Sequence, residues 1–463
     1  MLYSPLFLFA VLLIPAWGAA DGGSSSHHKP RPSNDPPLPP SQDCWYEQPA
    51  DIDEYKPGEL IRSRQIENEL KPFIELGGDV SVHSVYQYLF RTTDSLGNAV
   101  AAVTTLIIPY NSDPSKLLVY LVPYDSANPD CSPSYALRSE AETGSIPGNG
   151  IPQVSVELPF IAAALNQGMW VTVPDYEGLE AQFTAGLQAG YATLDSVRVV
   201  LKEGRKIGLT KHVRYAMWGY SGGALAGGWA AELQQSYAPE LRFAGAALGG
   251  NIVNTTSVIE TLNGGPSAYL GFRGLYGLAK AYPNLTDWLN ENLLPDKQEE
   301  FFRIATSCQF DGQGGEYQDL FSYSATAERS LYEPVPSSVL RWSGWLGFRG
   351  TPKMPLYVYK AVADEIAPVE NTDELVQKYC SNGATVEYYR NLVGTHFTEV
   401  ITGSVNALGW ISDRLAGVTV SNKGSCNTED VAISEINPSI VPRIGVALYF
   451  ILGSTLGDEL GPP

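Results

Sequence analysis

Apolar residues in this chain fall into short unbroken runs, separated by stretches with helical spacing. Residues 116–123 contain Leu117-Leu-Val-Tyr-Leu-Val, a fully apolar strand, and 169–173 reads as a second buried strand. Between them, 158–167 has the look of a helix. Over 191–206 an apolar stripe of Leu194, Val197, Val200 and Leu201 has the spacing of an amphipathic helix. Upstream, 82–92 and 99–110 read as strands joined by a turn at Leu96-Gly97-Asn98. A further apolar run starts at Tyr215, passes through Gly219-Tyr220-Ser221-Gly222-Gly223 and continues as an Ala-rich helix, and 243–248 follows as a strand. Buried strands that alternate with helices predict an α/β fold around a mostly parallel sheet.

The alternation stops near Asn251. From 251 to 343 the pattern is irregular, helical and aromatic, with Tyr269, Phe272, Leu275, Tyr276, Trp288, Phe301 and Phe302, and no clear strand. This stretch reads as an inserted helical cap. Regularity returns with a strand over 355–360, a helix over 371–379, a strand over 385–389 and a helix over 398–415. The catalytic-type α/β domain would then span 44–250 and 344–463, with 251–343 inserted. Residues 44–60 read as an irregular approach segment, and 418–463 carry little signal.

Composition narrows the function. With 30 Lys and Arg against 50 Asp and Glu, the net charge of −20 argues against nucleic acid and anionic membranes as partners. Residues 5–14 are almost all apolar and lead into Pro15 and Gly18-Ala19-Ala20, the pattern of a signal peptide over 1–20. That run, and another over 444–452, are too short to span a bilayer. Residues 21–43, rich in Ser, His and Pro, read as a flexible leader whose His27 and His28 belong to a solvated tail. A secreted, extracellular protein is expected. The five cysteines, Cys44, Cys131, Cys308, Cys380 and Cys426, fit that compartment and allow at most two internal bridges. Asn254-Thr-Thr and Asn284-Leu-Thr are glycosylation acceptor sequences. The sequence is silent on oligomeric state.

The chemistry centres on Gly219-Tyr220-Ser221-Gly222-Gly223, a G-x-S-x-G sequence between a strand and a helix. A nucleophile on so sharp a turn needs small neighbours, and Gly219 and Gly223 provide them. A serine hydroxyl needs a base to activate it, and that base needs a carboxylate to orient it. Of five histidines only His396 follows Ser221, in Gly394-Thr395-His396-Phe397, expected as a loop between a strand and the last long helix. The acid should follow the strand before it. Asp364 is the first choice there, with Glu365 and Asp373 as rivals. An oxyanion hole needs two fixed donors. One is the Gly222 amide, and the other should come from the Pro123-Tyr-Asp-Ser loop.

Together these pieces resemble the fungal secretory lipases. The likeness runs from about Cys44 to Gly417. It rests on Pro57-Gly-Glu-Leu-Ile-Arg, Tyr124-Asp-Ser, Cys131-Ser-Pro-Ser-Tyr-Ala-Leu, Val173-Pro-Asp-Tyr-Glu-Gly, Gly219-Tyr-Ser-Gly-Gly, Asp364-Glu-Ile-Ala-Pro and His396-Phe-Thr-Glu, in that order. The resemblance implies an α/β-hydrolase fold with a helical cap and a Ser221, Asp364 and His396 triad. It also implies an oxyanion hole from the amides of Asp125 and Gly222. It implies bridges from Cys131 to Cys308 and from Cys380 to Cys426, leaving Cys44 over. The expected activity is a serine ester hydrolase working through an acyl-enzyme, without metal or cofactor. Its substrate would be a triacylglycerol or similar lipid, met at a lipid–water interface. Some members of the family act as esterases on acylated fungal metabolites such as trichothecenes, which is the alternative. A serine peptidase, or a hydrolase-fold binding protein without catalysis, are the remaining readings.

Overall fold

The computed structural model describes residues 36–71, 80–139, 141, 153–309, 314–421 and 423–432. The expected signal peptide over 1–20, the leader as far as 35 and the apolar run 444–452 lie outside the described residues.

Ten strands form one sheet. They are β1 (Leu60–Ile66), β2 (Ser84–Thr93), β3 (Ala99–Ile108), β4 (Lys116–Leu121), β5 (Trp170–Pro174), β6 (Arg214–Tyr220), β7 (Ala246–Gly249), β8 (Leu356–Ala361), β9 (Val386–Asn391) and β10 (Cys426–Val431). Their order across the sheet is β1-β2-β3-β5-β4-β6-β7-β8-β9-β10. The β1–β2, β2–β3 and β3–β5 pairs are antiparallel, and every pair from β5 to β10 is parallel. A parallel sheet is covered on both faces, so its strands can be apolar without alternation. That is why β5 and β8 are buried at every position, and β6 at every position but Arg214.

The principal helices are α1 (Leu158–Asn166), α2 (Gly186–Gly204), α3 (Gly222–Tyr237), α4 (Thr255–Leu262), α5 (Tyr269–Ala281), α6 (Pro283–Asn292), α7 (Gln298–Ala305), α8 (Pro334–Ser343), α9 (Val369–Ser381) and α10 (His396–Ala416). Helices α3 and α10 both pack on β6 and β7. Helix α2 begins at Gly186, five residues before the expected start. Its glycines discourage a helix locally, but they sit where α2 meets α3. A Cβ on Gly186 would lie 2.1 Å from the Trp229 indole.

The two edge strands escape the apolar pattern. Strand β1, which starts where the expected irregular approach ends and which the apolar pattern does not mark, is half-exposed and carries Arg62 and Arg64, the latter stacked 4.1 Å over the Trp45 ring. Strand β10 is exposed along most of its length and offers no apolar run to read. It is held instead by pairing with β9 and by the Cys380–Cys426 disulfide. Charged, polar edges also discourage pairing with another chain.

Helices α4 to α8 fall between β7 and β8, within the stretch expected as a cap. Their apolar side chains form a hydrophobic cluster of their own around Phe272, Leu275, Phe301, Ile304 and Tyr323. The Phe272 ring stands 4.8 Å from that of Tyr323 and 5.5 Å from that of Phe301. The Cys131–Cys308 disulfide, spanning 177 residues, ties this helical stretch to the segment after β4.

Candidate active site

The turn after β6 takes its shape from its glycines. A Cβ on Gly219 would lie 2.5 Å from the Gly223 carbonyl, and one on Gly223 only 1.9 Å from the Leu121 carbonyl oxygen. The turn between them forces Ser221 to φ 52° and ψ −120°. Such a backbone costs a side-chain-bearing residue on the order of 1–3 kcal/mol and persists only where its surroundings impose it. Ser221 stands immediately before α3, so its hydroxyl meets the positive end of a helix dipole.

Loops at the carboxyl ends of β6, β8 and β9 converge here. After β8, Asp364 accepts backbone N–H bonds from Ile366 at 2.9 Å and Ala367 at 2.7 Å through Oδ1, which leaves Oδ2 facing inward. After β9, Asn391 Oδ1 accepts from the amides of Val393 and Gly394, both at 3.1 Å, and pins the start of the loop. Thr395 then caps α10 through a capping box with Thr398. His396 is therefore the first residue of α10 and not a loop residue as expected, because the capping threonine starts the helix two positions earlier.

His396 Nδ1 lies 2.8 Å from Asp364 Oδ2, and His396 Nε2 lies 3.0 Å from Ser221 Oγ. With its Nδ1 proton donated to Asp364, the ring presents a lone pair at Nε2 to the serine hydroxyl. Both rival acids lie elsewhere. Glu365 accepts the backbone N–H of His396 at 2.7 Å, so it anchors the loop and not the ring. Asp373 accepts from the Tyr388 hydroxyl and pairs with Arg390. Burial acts to raise the Asp364 carboxyl, but the adjoining His396 and Lys360 outweigh it and hold the group well below the usual carboxylate range.

Asp125 and Gly222 meet beside the serine. A Cβ on Gly222 would fall 1.9 Å from Asp125 Oδ1. Asp125 has φ 43°, so both non-glycine residues flanking the reacting position hold unusual backbone angles. Two cavities open from this point. The wider, about 230 Å³, is walled by Phe160, Ile366, Phe397, Val400 and Ile401, with Tyr269 and Leu270 closing one side. The narrower, about 30 Å³, runs past Gly222 between Leu225, Ile252, Val258, Ile259 and Leu262. Of the large apolar residues that marked the cap in the sequence, Tyr269 lines the wider cavity. Phe272, Leu275, Phe301, Tyr276, Trp288 and Phe302 belong to the helical stretch's own cluster or pack against it. The stretch lines the cavities through other residues instead, Tyr269 and Leu270 at the wider one and Ile252, Val258, Ile259 and Leu262 at the narrower.

Three neighbours of the site went unread in the sequence. Tyr220 packs its ring 5.0 Å from the His396 ring and donates its hydroxyl to the His396 carbonyl at 2.7 Å. Glu157, buried in the wall of the wider cavity, accepts from the Tyr120 hydroxyl at 2.5 Å. Burial pushes its carboxyl up to about 7. Lys360 is fully buried, with Nζ 2.9 Å from Asp364 Oδ2. A lysine inside the buried run Leu356-Tyr-Val-Tyr-Lys-Ala was the available signal, since an ammonium enters such a strand only with a partner.

The remaining candidates lie apart. Cys131–Cys308 and Cys380–Cys426 are bonded and Cys44 is exposed with a free thiol. Asn284 is exposed near the start of α6, whereas Asn254 is half-buried and caps α4 by accepting from the amides of Thr256 and Ser257.

The family model described as secretory lipase matches residues 149–423. Over 433 residues the chain is 36% identical to Lipase A of Arthroderma benhamiae, covering 93% of this chain and 91% of that one. Over 448 residues it is 35% identical to a trichothecene C-3 esterase of Fusarium sporotrichioides, covering 92% and 93%. The structure of Candida antarctica lipase A in its closed state superposes with a TM-score of 0.77 at 28% identity, over 91% of this chain and 96% of that one. The fold is that of the lipase and esterase α/β-hydrolases.

Proposed function

The chain belongs to the secretory lipase family and is a carboxylic ester hydrolase, and from that premise we propose that it works through an acyl-enzyme on Ser221. The observation that carries the reading is the unbroken relay from Ser221 Oγ to His396 Nε2 at 3.0 Å and from His396 Nδ1 to Asp364 Oδ2 at 2.8 Å. Ser221 Oγ attacks the ester carbonyl carbon while His396 takes its proton. The carbonyl oxygen gains the charge, beside the amides of Asp125 and Gly222. As the tetrahedral centre collapses, the bond to the alkoxy oxygen breaks and His396 returns the proton to the leaving alcohol. Water then repeats the sequence on the acyl-enzyme and releases the acid. Asp364 keeps the ring in the tautomer that both steps need.

The substrate we favour is a triacylglycerol or similar long-chain ester. The wider cavity is almost wholly apolar, and Leu392, Val393 and Phe397 beside His396 are exposed, which suits contact with a lipid surface. Two disulfides and the secretory character of the family support action outside the cell, with Asn284 as the accessible glycan acceptor. A second reading has one observation in its favour. If the narrow cavity took a short acyl group, the wider one would hold a bulky alcohol, as the trichothecene esterase relative's name suggests for that protein. Hydrolysis of p-nitrophenyl esters from acetyl to palmitoyl separates the two. A rate that rises with chain length supports the lipase, and a maximum at acetyl supports the esterase. Failure of a fluorophosphonate to label Ser221 would remove both.

A further inference from the structure

We propose that Lys360 is a positioning residue for the ester hydrolysis, a second cation on the triad carboxylate that keeps His396 a neutral, working base at lower pH than Asp364 alone would allow. The inference rests on the triad reading above.

Asp364 receives four donors. Its Oδ1 takes the Ile366 and Ala367 amides, and its Oδ2 takes both His396 Nδ1 at 2.8 Å and Lys360 Nζ at 2.9 Å. The lysine also donates to the Asn251 carbonyl at 3.3 Å, just past the carboxyl end of β7. The side chains of Lys360 and Asp364 are both wholly shielded from solvent, and they stand four residues apart across the end of β8. In a plain triad the carboxylate has one cation to stabilise, the imidazolium that forms during the reaction. Here another cation already occupies the same oxygen. The imidazolium must share that oxygen with a like charge, in surroundings that screen it poorly. Lys360 therefore opposes a second positive charge at that oxygen, and it also fixes the carboxylate in its ionised form and in one orientation.

The other charged groups facing this cluster do not cancel the effect. Glu365, on the same loop, faces the His396 backbone N–H. Glu399, in the first turn of α10, is tied to Asn391 and Thr402. Asp373 on α9 is engaged by Arg390. Tyr220 on β6 keeps its hydroxyl proton, since burial raises its pKa far above the usual value. Among these, Lys360 is the group that contacts the carboxylate oxygen shared with the imidazole.

The sign follows directly. Without Lys360 the imidazolium is easier to form, so the base is lost to protonation at a higher pH. In Lys360→Met the acid limb of kcat/KM should move up by about one pH unit or more, which is about tenfold in rate on that limb. The same shift should appear in the pH dependence of fluorophosphonate labelling of Ser221, which involves no substrate alcohol. Lys206→Met removes an exposed cation that pairs with Glu203 of α2, outside the site, and should leave the limb where it is. Should Lys360→Met fail to fold, Lys360→Gln keeps a hydrogen-bond donor without the charge, and the His396 titration can be followed by NMR in both it and the wild type. A limb that stays put in the Lys360 variants while rates fall evenly at all pH would mean a merely structural lysine, and would overturn the proposal. So would a shift to lower pH. If instead Ser221→Ala retained activity or labelling, the triad reading itself would have failed.

Discussion

At the scale of single residues, the site separates groups that carry protons from groups that hold them in place. In the proposed mechanism Ser221 and His396, 3.0 Å apart, act as one unit, since neither is useful without the other. Ser221→Ala and His396→Ala should each lower kcat by roughly 10⁵ to 10⁶, with the double variant hardly worse. Losses that multiplied would mean that the two act independently, and would refute the pairing. The neighbouring carboxylates make a sharper contrast. Asp364 bonds the ring, whereas Glu365 bonds the backbone of the same histidine. Asp364→Asn offers an amide where the ring needs an acceptor and should cost on the order of 10⁴ in kcat, through the wrong tautomer. Glu365→Gln keeps an oxygen for the backbone N–H and should cost less than about tenfold. Steady-state kinetics on a soluble ester would reverse the assignment if the larger loss fell on Glu365.

At the scale of elements, the two cavities share Leu270 and Ile366 but draw the rest of their apolar walls largely from different elements. The wider one takes its wall from the residues around α1 and from the first turns of α10, through Phe160, Phe397, Val400 and Ile401. Each methylene buried there is worth about 0.8 kcal/mol, or roughly fourfold in kcat/KM, until the cavity is filled. Ile401→Trp should therefore shorten the preferred acyl chain and cut long-chain hydrolysis at least tenfold relative to acetyl. Phe302→Trp, in the cluster of the helical insert, should leave the chain-length profile alone. A profile that moved only with the Phe302 substitution would return the acyl wall to the insert. The same elements show what the sequence could reveal. Strands β4, β5, β6 and β8 were legible because a doubly covered strand must be apolar throughout, and the elbow because Gly219 and Gly223 answer to a steric demand. Strands β1 and β10 were not legible. An exposed edge is held by backbone pairing, which leaves no mark on side-chain pattern. Asp364, His396 and Ser221 could be proposed from chain order and residue type, but the Lys360 contact depends on the loop after β8 turning Asp364 back onto the strand, and the Glu157 contact on the segment before α1 meeting Tyr120 of β4, which spacing along one strand does not report.

At the scale of the whole molecule, buried acids set how stability responds to pH. Burial pushes Glu157 from its ordinary value of 4.5 up to about 7, and Asp175 from 3.8 up to about 7. Burial also raises Glu177 well above its ordinary value. A carboxyl raised by folding binds a proton more tightly in the native state than in the unfolded one. Its contribution is complete below the unfolded value and fades as pH climbs through the folded one. These groups therefore favour the native state in mild acid and cease to do so above about pH 7. Asp364 works the other way. Its folded carboxyl lies below its ordinary value, so its contribution is present above about pH 4 and is lost as pH falls further. The two trends leave a maximum at about pH 4 to 4.5, with stability falling from there towards about pH 7. A chain with a net charge of −20 adds self-repulsion as the last carboxyls ionise, in the same direction. Thermal unfolding should accordingly give a higher Tm at pH 5 than at pH 8. Glu157→Gln together with Asp175→Asn should flatten the fall between pH 5 and pH 7.5, because an amide at each position has no proton to lose. Equal Tm values at pH 5 and pH 8 in the unaltered protein would show that these acids are already ionised in the fold.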